Sequence, residues 1–142
     1  MNNELIITSH CPKLAQDFNK FIEIVASYKK NPAFIINIED GPVCPMLYVG
    51  KALLYLSHHS YKLHDNVLKY YNIALDQAKS LESLESWEIN WLNTLKYMTE
   101  EDDNKIMESI LKNAQENPND LLNIRFGVFW SVVTADKQFM AK

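Results

Sequence analysis

Imidazole and acidic side chains come closest together between His58 and Asp65, where a zinc site is the chemistry to consider. His58, His59 and His64 lie in this stretch, and imidazole nitrogens are common zinc ligands. The HHSYKL segment interrupts the apolar periodicity and indicates a loop, so no regular helix places the three on one face. We therefore predict no bound metal and no cofactor. A metal-binding or small-molecule-binding helical bundle is the last of the alternatives.

Other reactive side chains give no catalytic pattern. His10 and Cys11 are neighbours without a third orienting group, and the sequence lacks a glycine-rich phosphate loop, a GxSxG and an HExxH motif. The four acids at 100–103 lack the spacing and the glycine of a calcium loop, and they predict a turn before a helix. Cys11 and Cys44 are far apart in sequence, which favours buried thiols and leaves a disulfide open. We predict that the protein is not an enzyme.

Charge and hydropathy exclude two kinds of partner. The net charge is -4, and Arg125 is the only arginine among 14 basic residues. Because nucleic-acid recognition depends on basic stripes and on arginine, we predict no nucleic-acid binding. The N-terminus lacks the apolar length of a signal peptide, and no apolar run has the length of a membrane span. We expect a cytoplasmic protein that does not associate with membranes.

Apolar residues at spacings of three and four predict an all-α protein of about six to seven helices. Residues 1–11 form an N-terminal arm, and residues 12–42 hold the leading helices, with the AFIINI run predicted as one or two helical turns. Gly50 lies on the packing face of the next helix and would allow another helix to come close. The pattern predicts one domain over residues 1–142.

The helices pair at a spacing typical of repeats. We predict one antiparallel hairpin over residues 43–82, a second over 83–118 and an unpaired terminal helix over 119–142. Ser83 or Ser86 is expected to cap the second hairpin, and Asn119 or Asp120 the terminal helix. The distance from Ser86 to Asp120 is the thirty-four-residue period of tetratricopeptide repeats. The fold class is therefore a short, stacked tetratricopeptide-like array.

Several strings add a resemblance to this pattern. They are the opening helix at 14–28, the NPAF string at 31–34, the helix around Gly50, the loop at 60–63, the helix around Trp87 and the NPNDLLNIRF segment at 117–126. Their order resembles the N-terminal part of the tetratricopeptide repeat protein 38 family and covers about the first third of a typical member. Gly127-Val128 stand where the family tends to carry His-Asp. The resemblance implies a helical-repeat scaffold and no established reaction.

Two kinds of function follow from the pattern. The first is a protein-protein interaction scaffold that holds a partner peptide or helix in a repeat groove. The groove residues predicted from the register are Lys51, Tyr55, Trp91, Arg125 and Phe129. The second is a self-assembling, homodimeric protein, because the terminal helix is apolar nearly all the way round and lacks a partner helix. The residues predicted for self-association are Leu122, Phe126, Phe129, Trp130 and Val133.

Overall fold

The chain is all-helical, as the sequence predicts. The structure is a computed structural model that describes residues 5–27, 32–41, 43–56 and 65–140, and these contain no strand. The α-helices are α1 (Pro12–Ser27), α2 (Pro45–Leu54), α3 (Asp65–Lys79), α4 (Ser86–Thr99), α5 (Asp103–Glu116) and α6 (Leu121–Met140). A 3₁₀ helix, Pro32–Asn37, precedes α2, which confirms a helical AFIINI segment. The HHSYKL loop lies outside the described residues.

The helices pack as two hairpins with further helices laid against them. α2 packs on α3, and α4 packs on α5, while α1 contacts both α2 and α6. One continuous apolar core runs through all of these elements. A single core of this kind lets the first and last helices of the described chain lie side by side.

Gly50 is where α2 comes closest to its neighbours. A methyl group built at Gly50 would lie 2.9 Å from the Ile35 side chain and 3.2 Å from the rings of Phe18 and Phe21. All three neighbours are almost fully buried. Gly50 therefore allows α1 and the 3₁₀ helix to pack directly on the α2 backbone, which confirms the packing role predicted for it.

α4 and α5 begin with acidic caps. Glu85, and neither of the predicted serines, is the N-cap of α4, and the Glu88 carboxylate accepts a hydrogen bond from the Glu85 N–H at 2.9 Å. Asp102 caps α5 by accepting a hydrogen bond from the Lys105 N–H at 3.1 Å. The acids at 100–103 thus form the turn that the sequence predicts, because carboxylates stabilise a helix N-terminus.

The N-terminal arm is fastened to the start of α4. The buried Glu88 carboxylate accepts hydrogen bonds from the Thr8 N–H at 2.9 Å and from the Thr8 hydroxyl at 2.5 Å. The Trp87 indole N–H donates to the Ile6 carbonyl at 2.9 Å. Leu5 and Ile7 pack against the core. The contacts join residues about eighty positions apart, which local sequence patterns do not report.

α6 is covered on one side by this chain. α5 packs on α6, and so does α1 from the other end of the sequence. The terminal helix therefore has partners within the chain, contrary to the prediction that it is unpaired.

No helix in the described part of the chain is both long enough and apolar enough to cross a membrane.

Replacing Gly50 by alanine tests the close packing of α2. Overfilling a packed core typically costs about 1–3 kcal/mol, which exceeds the roughly 1 kcal/mol that alanine gains over glycine in a helix. We expect Gly50→Ala to lower the urea midpoint of unfolding. Gly127→Ala is the matched control, since its methyl group meets only Ile110, at 3.2 Å. We expect Gly127→Ala to leave the midpoint unchanged or raise it, and the reverse order of the two variants would contradict this packing.

Candidate functional site

Lys51 is a core residue and does not line a groove. Its side chain is 1% exposed, and the ammonium group donates hydrogen bonds to the Ile38 carbonyl and to Asp40, the latter at 2.7 Å. The same nitrogen lies 5.4 Å from the ring centre of Tyr48 and 5.5 Å from that of Tyr70. Aromatic faces and a carboxylate compensate a buried cation. The expectation that Lys51 is available to a partner is wrong.

Trp91 is also buried, at 1% exposed. Its indole N–H donates to the Asp120 carboxylate at 2.8 Å, and its ring meets Phe126 edge-on at 5.5 Å between centres. An indole that packs its ring and hydrogen-bonds its nitrogen has no face left for a ligand. Trp91 is therefore not exposed in a groove, contrary to the prediction.

The other three predicted groove residues are partly exposed but stand on different helices. Tyr55, at the end of α2, stacks on Tyr70 with ring centres 5.9 Å apart. The ring centres of Phe129 and Phe126 are 6.1 Å apart, and both Phe129 and Arg125 lie on α6. Two of the five predicted groove residues are in the core, so the five do not form one exposed surface.

Four of the five residues predicted for self-association face inward. They are Leu122, Phe126, Trp130 and Val133, all buried within this chain. Phe129 is partly exposed. α1 and α5 pack on α6 and cover the face that carries the four buried residues. These four of the five residues proposed to contact a second copy are therefore not accessible.

The opposite face of α6 carries a second apolar row, which we call the outer stripe. It consists of Leu121, Ile124, Val128 and Val132, which are 48%, 47%, 55% and 52% exposed. Spacings of three and four residues place them along one line of a helix. These four are half of the eight large apolar side chains that are exposed in the described part of the chain. The outer stripe is thus a concentrated apolar surface.

Asp120 sets the direction of α6. One carboxylate oxygen accepts hydrogen bonds from the Trp91 indole N–H at 2.8 Å and the Asn113 amide at 2.7 Å. The other accepts from the Asn123 backbone N–H at 3.0 Å, which caps α6. Burial raises the pKa of the Asp120 carboxyl, while these hydrogen bonds act in the opposite direction. The carboxylate joins α4, α5 and α6 at one point.

A polar layer extends from Asp120 between α4 and α5. Asn90 donates to Asn113 at 3.0 Å, and the hydroxyls of Thr94 and Ser109 lie 2.6 Å apart. All four side chains are buried. Hydrogen-bonded pairs of this kind penalise any sliding of one helix along the other, because a shift would leave buried polar groups unmatched.

An open recess beside this layer offers no defined ligand chemistry. Its volume is about 130 Å³, and Lys105, Glu108 and Lys112 are among the residues that line it. Charges of both signs therefore stand at its edge. In the described residues no three histidine, cysteine or acidic side chains could hold a metal ion. The predicted histidine cluster, His58, His59 and His64, lies outside those residues.

Comparison with known proteins leaves the family unassigned. No protein-family model, curated protein or solved structure matches this chain. The resemblance to the tetratricopeptide repeat protein 38 family therefore stays a prediction.

Truncating Asp120 tests its role at the junction. Asp120→Ala leaves the buried Trp91 and Asn113 donors unsatisfied and removes the cap of α6, so we expect a loss of about 3 kcal/mol or more in the free energy of unfolding. Asn119→Ala is the control, because this neighbour is exposed and surface changes stay within about 0.5 kcal/mol. Chemical denaturation measures both. Equal stability of the two variants would remove Asp120 from this role.

Proposed function

We propose that this protein is a non-enzymatic interaction module that self-associates through the outer stripe of α6. The observation that carries the proposal is the concentration of exposed apolar side chains on this one helix. The other exposed large apolar residues are single side chains on separate elements: Ile6, Leu68, Ile89 and Leu111. Isolated apolar residues are normal on a surface, whereas an aligned row supports an interface.

The charge of the stripe favours a second copy of the chain as the occupant. Between residues 121 and 135, Arg125 is the only charged residue. A neutral apolar row is complementary to itself, since two such rows bring together no opposed like charges. In an antiparallel pair of α6 helices centred on Val128, the two Arg125 positions would be about 9 Å apart along the helix axis. A twofold arrangement of this kind is the commonest form of homo-oligomer.

The size of the stripe sets the strength of the association. From Leu121 to Val132 the row extends for about 17 Å at the rise of an α-helix. Two such rows bury much less than the roughly 1,600 Å² of a standard protein interface. We therefore propose a dimer that dissociates in the micromolar range or above.

Binding of a partner peptide in a repeat groove receives less support. The predicted groove takes its charge from Lys51 and part of its aromatic surface from Trp91, and both side chains are buried. A helix of another protein could instead bind the outer stripe. The protein would then be a scaffold, as predicted, but its binding surface would be the outer stripe and not a repeat groove. The solution mass of the purified chain separates this possibility from self-association.

Placing a charge in the outer stripe tests the proposal. We expect the average mass of the wild-type protein to rise with concentration toward that of a dimer in sedimentation equilibrium. Val128→Lys should remain monomeric over the same range, because pairing would place an uncompensated ammonium group at the centre of the interface. At concentrations where the wild type is also monomeric, the thermal stability of Val128→Lys should match that of the wild type, since residue 128 is exposed.

Leu68→Lys is the matched control for Val128→Lys. Leu68 is an exposed apolar residue on α3, away from the outer stripe, and its replacement should leave the association unchanged. A wild-type protein that stays monomeric at all concentrations would refute self-association. Equal loss of association in the two variants would show that the outer stripe is not the interface.

A further inference from the structure

The segments that lead into α1 and α2 run side by side. Each contains a cysteine directly before the proline that opens the helix: Cys11 precedes Pro12, and Cys44 precedes Pro45. The His10 N–H donates to the Val43 carbonyl at 2.9 Å. Residues next to the two cysteines are therefore joined by a direct backbone hydrogen bond, although 33 positions separate the cysteines in sequence.

The hydroxyl group of Ser9 lies between the two cysteines. It accepts a hydrogen bond from the Cys11 N–H at 2.9 Å and donates to the Val43 carbonyl at 2.7 Å. The Val43 carbonyl carbon is bonded directly to the nitrogen of Cys44. One side chain thus links the backbone of Cys11 to the peptide group that precedes Cys44.

We propose that Cys11 and Cys44 are a disulfide-forming pair, oxidised by exchange with a small-molecule disulfide such as glutathione disulfide. A disulfide requires Cα atoms about 4.4–6.8 Å apart. The Ser9 hydroxyl connects the Cys11 N–H to the carbonyl that is bonded to the Cys44 nitrogen, so the backbones of the two cysteines lie next to each other. Both cysteines are free thiols in the structure.

The difference in burial between the two thiols fixes the order of the exchange. Cys11 is partly exposed, whereas Cys44 is fully buried. The Cys11 thiolate attacks one sulfur of glutathione disulfide, forms a mixed disulfide and releases one glutathione thiolate. The Cys44 thiolate then attacks the Cys11 sulfur and releases the second glutathione. Two protein thiols are oxidised, one glutathione disulfide is reduced to two glutathiones, and the two cysteine protons end on those glutathiones.

The second exchange is the slower of the two. Burial raises the pKa of the Cys44 thiol, and the charge of Glu88 acts in the same direction. Less of this thiol is therefore ionised than is usual for cysteine, and the thiolate is the attacking form. The mixed disulfide on Cys11 should accumulate briefly before the intramolecular bond closes.

The bond would fasten the arm and the start of α1 to the start of α2. It would close the loop that contains α1 and the 3₁₀ helix, the two elements that pack around Gly50. Closing a loop of this length should raise the melting temperature by roughly 10 °C. This inference does not depend on the pairing of α6, because none of its residues belongs to the outer stripe.

The test treats the whole reduced protein with glutathione disulfide and follows the intact mass. We expect the final product to be lighter by two hydrogens, resistant to thiol alkylation, monomeric on a denaturing gel and higher in melting temperature. In denaturing urea the two segments are no longer held together. Formation of the Cys11–Cys44 bond from the mixed disulfide should then be roughly tenfold slower or more.

Two variants identify the sulfurs. Cys44→Ala should retain one glutathione on Cys11, and Cys11→Ala should react slowly or not at all, and neither should gain thermal stability. The wild-type measurements need no variant to fold. A wild-type protein that ends with glutathione on Cys11 and a free Cys44, or that closes equally fast in urea, would overturn the proposal.

Discussion

The carboxylate of Asp120 fixes the direction in which α6 leaves the hairpin before it. Three donors meet there, from Trp91 on α4, Asn113 on α5 and the first turn of α6. A buried carboxylate is stable only where donors replace the water it has lost, so rotating α6 would leave this charge uncompensated. The orientation of α6 in turn decides which of its two apolar faces enters the core.

Both faces of α6 are apolar, which is why the sequence did not identify the exposed one. Phe126 and Trp130 stack at 6.0 Å between ring centres and occupy the inner face, while Ile124 and Val128 lie outside. Periodicity separates an apolar face from a polar one and gives no ranking between two apolar faces. The larger aromatic surfaces are buried because they remove more apolar area from water.

Features with a local cause were predictable from the sequence. Pro45 opens α2 and Asp120 caps α6, because both effects act within one helical turn. The packing role of Gly50 is predictable because a small residue on an apolar helix face allows another helix to come close. The helical class follows from the same periodicity and needs no knowledge of which helices touch.

Contacts between distant segments were not predictable in this way. Lys51 reads as a surface cation, yet the carbonyl of Ile38 and the side chain of Asp40 compensate its charge in the core. Glu88 reads as a favourable charge at a helix start, whereas it also holds Thr8 from the arm. From sequence alone a charged residue is expected at the surface. It can be buried only where a distant group hydrogen-bonds to it, and the sequence does not show that group.

The polar layer between α4 and α5 links this packing to the candidate interface. Matched pairs such as Asn90 with Asn113 contribute little net stability, since each group exchanges a bond with water for one within the protein. Their larger effect is to exclude other registers of the hairpin, because a slipped register strands buried donors and acceptors. A fixed hairpin holds Asn113 in place for Asp120, and Asp120 holds α6. The outer stripe therefore lies on a helix whose position these hydrogen bonds fix. An association through it would lose little conformational entropy, so the affinity would be higher than the small apolar area alone suggests.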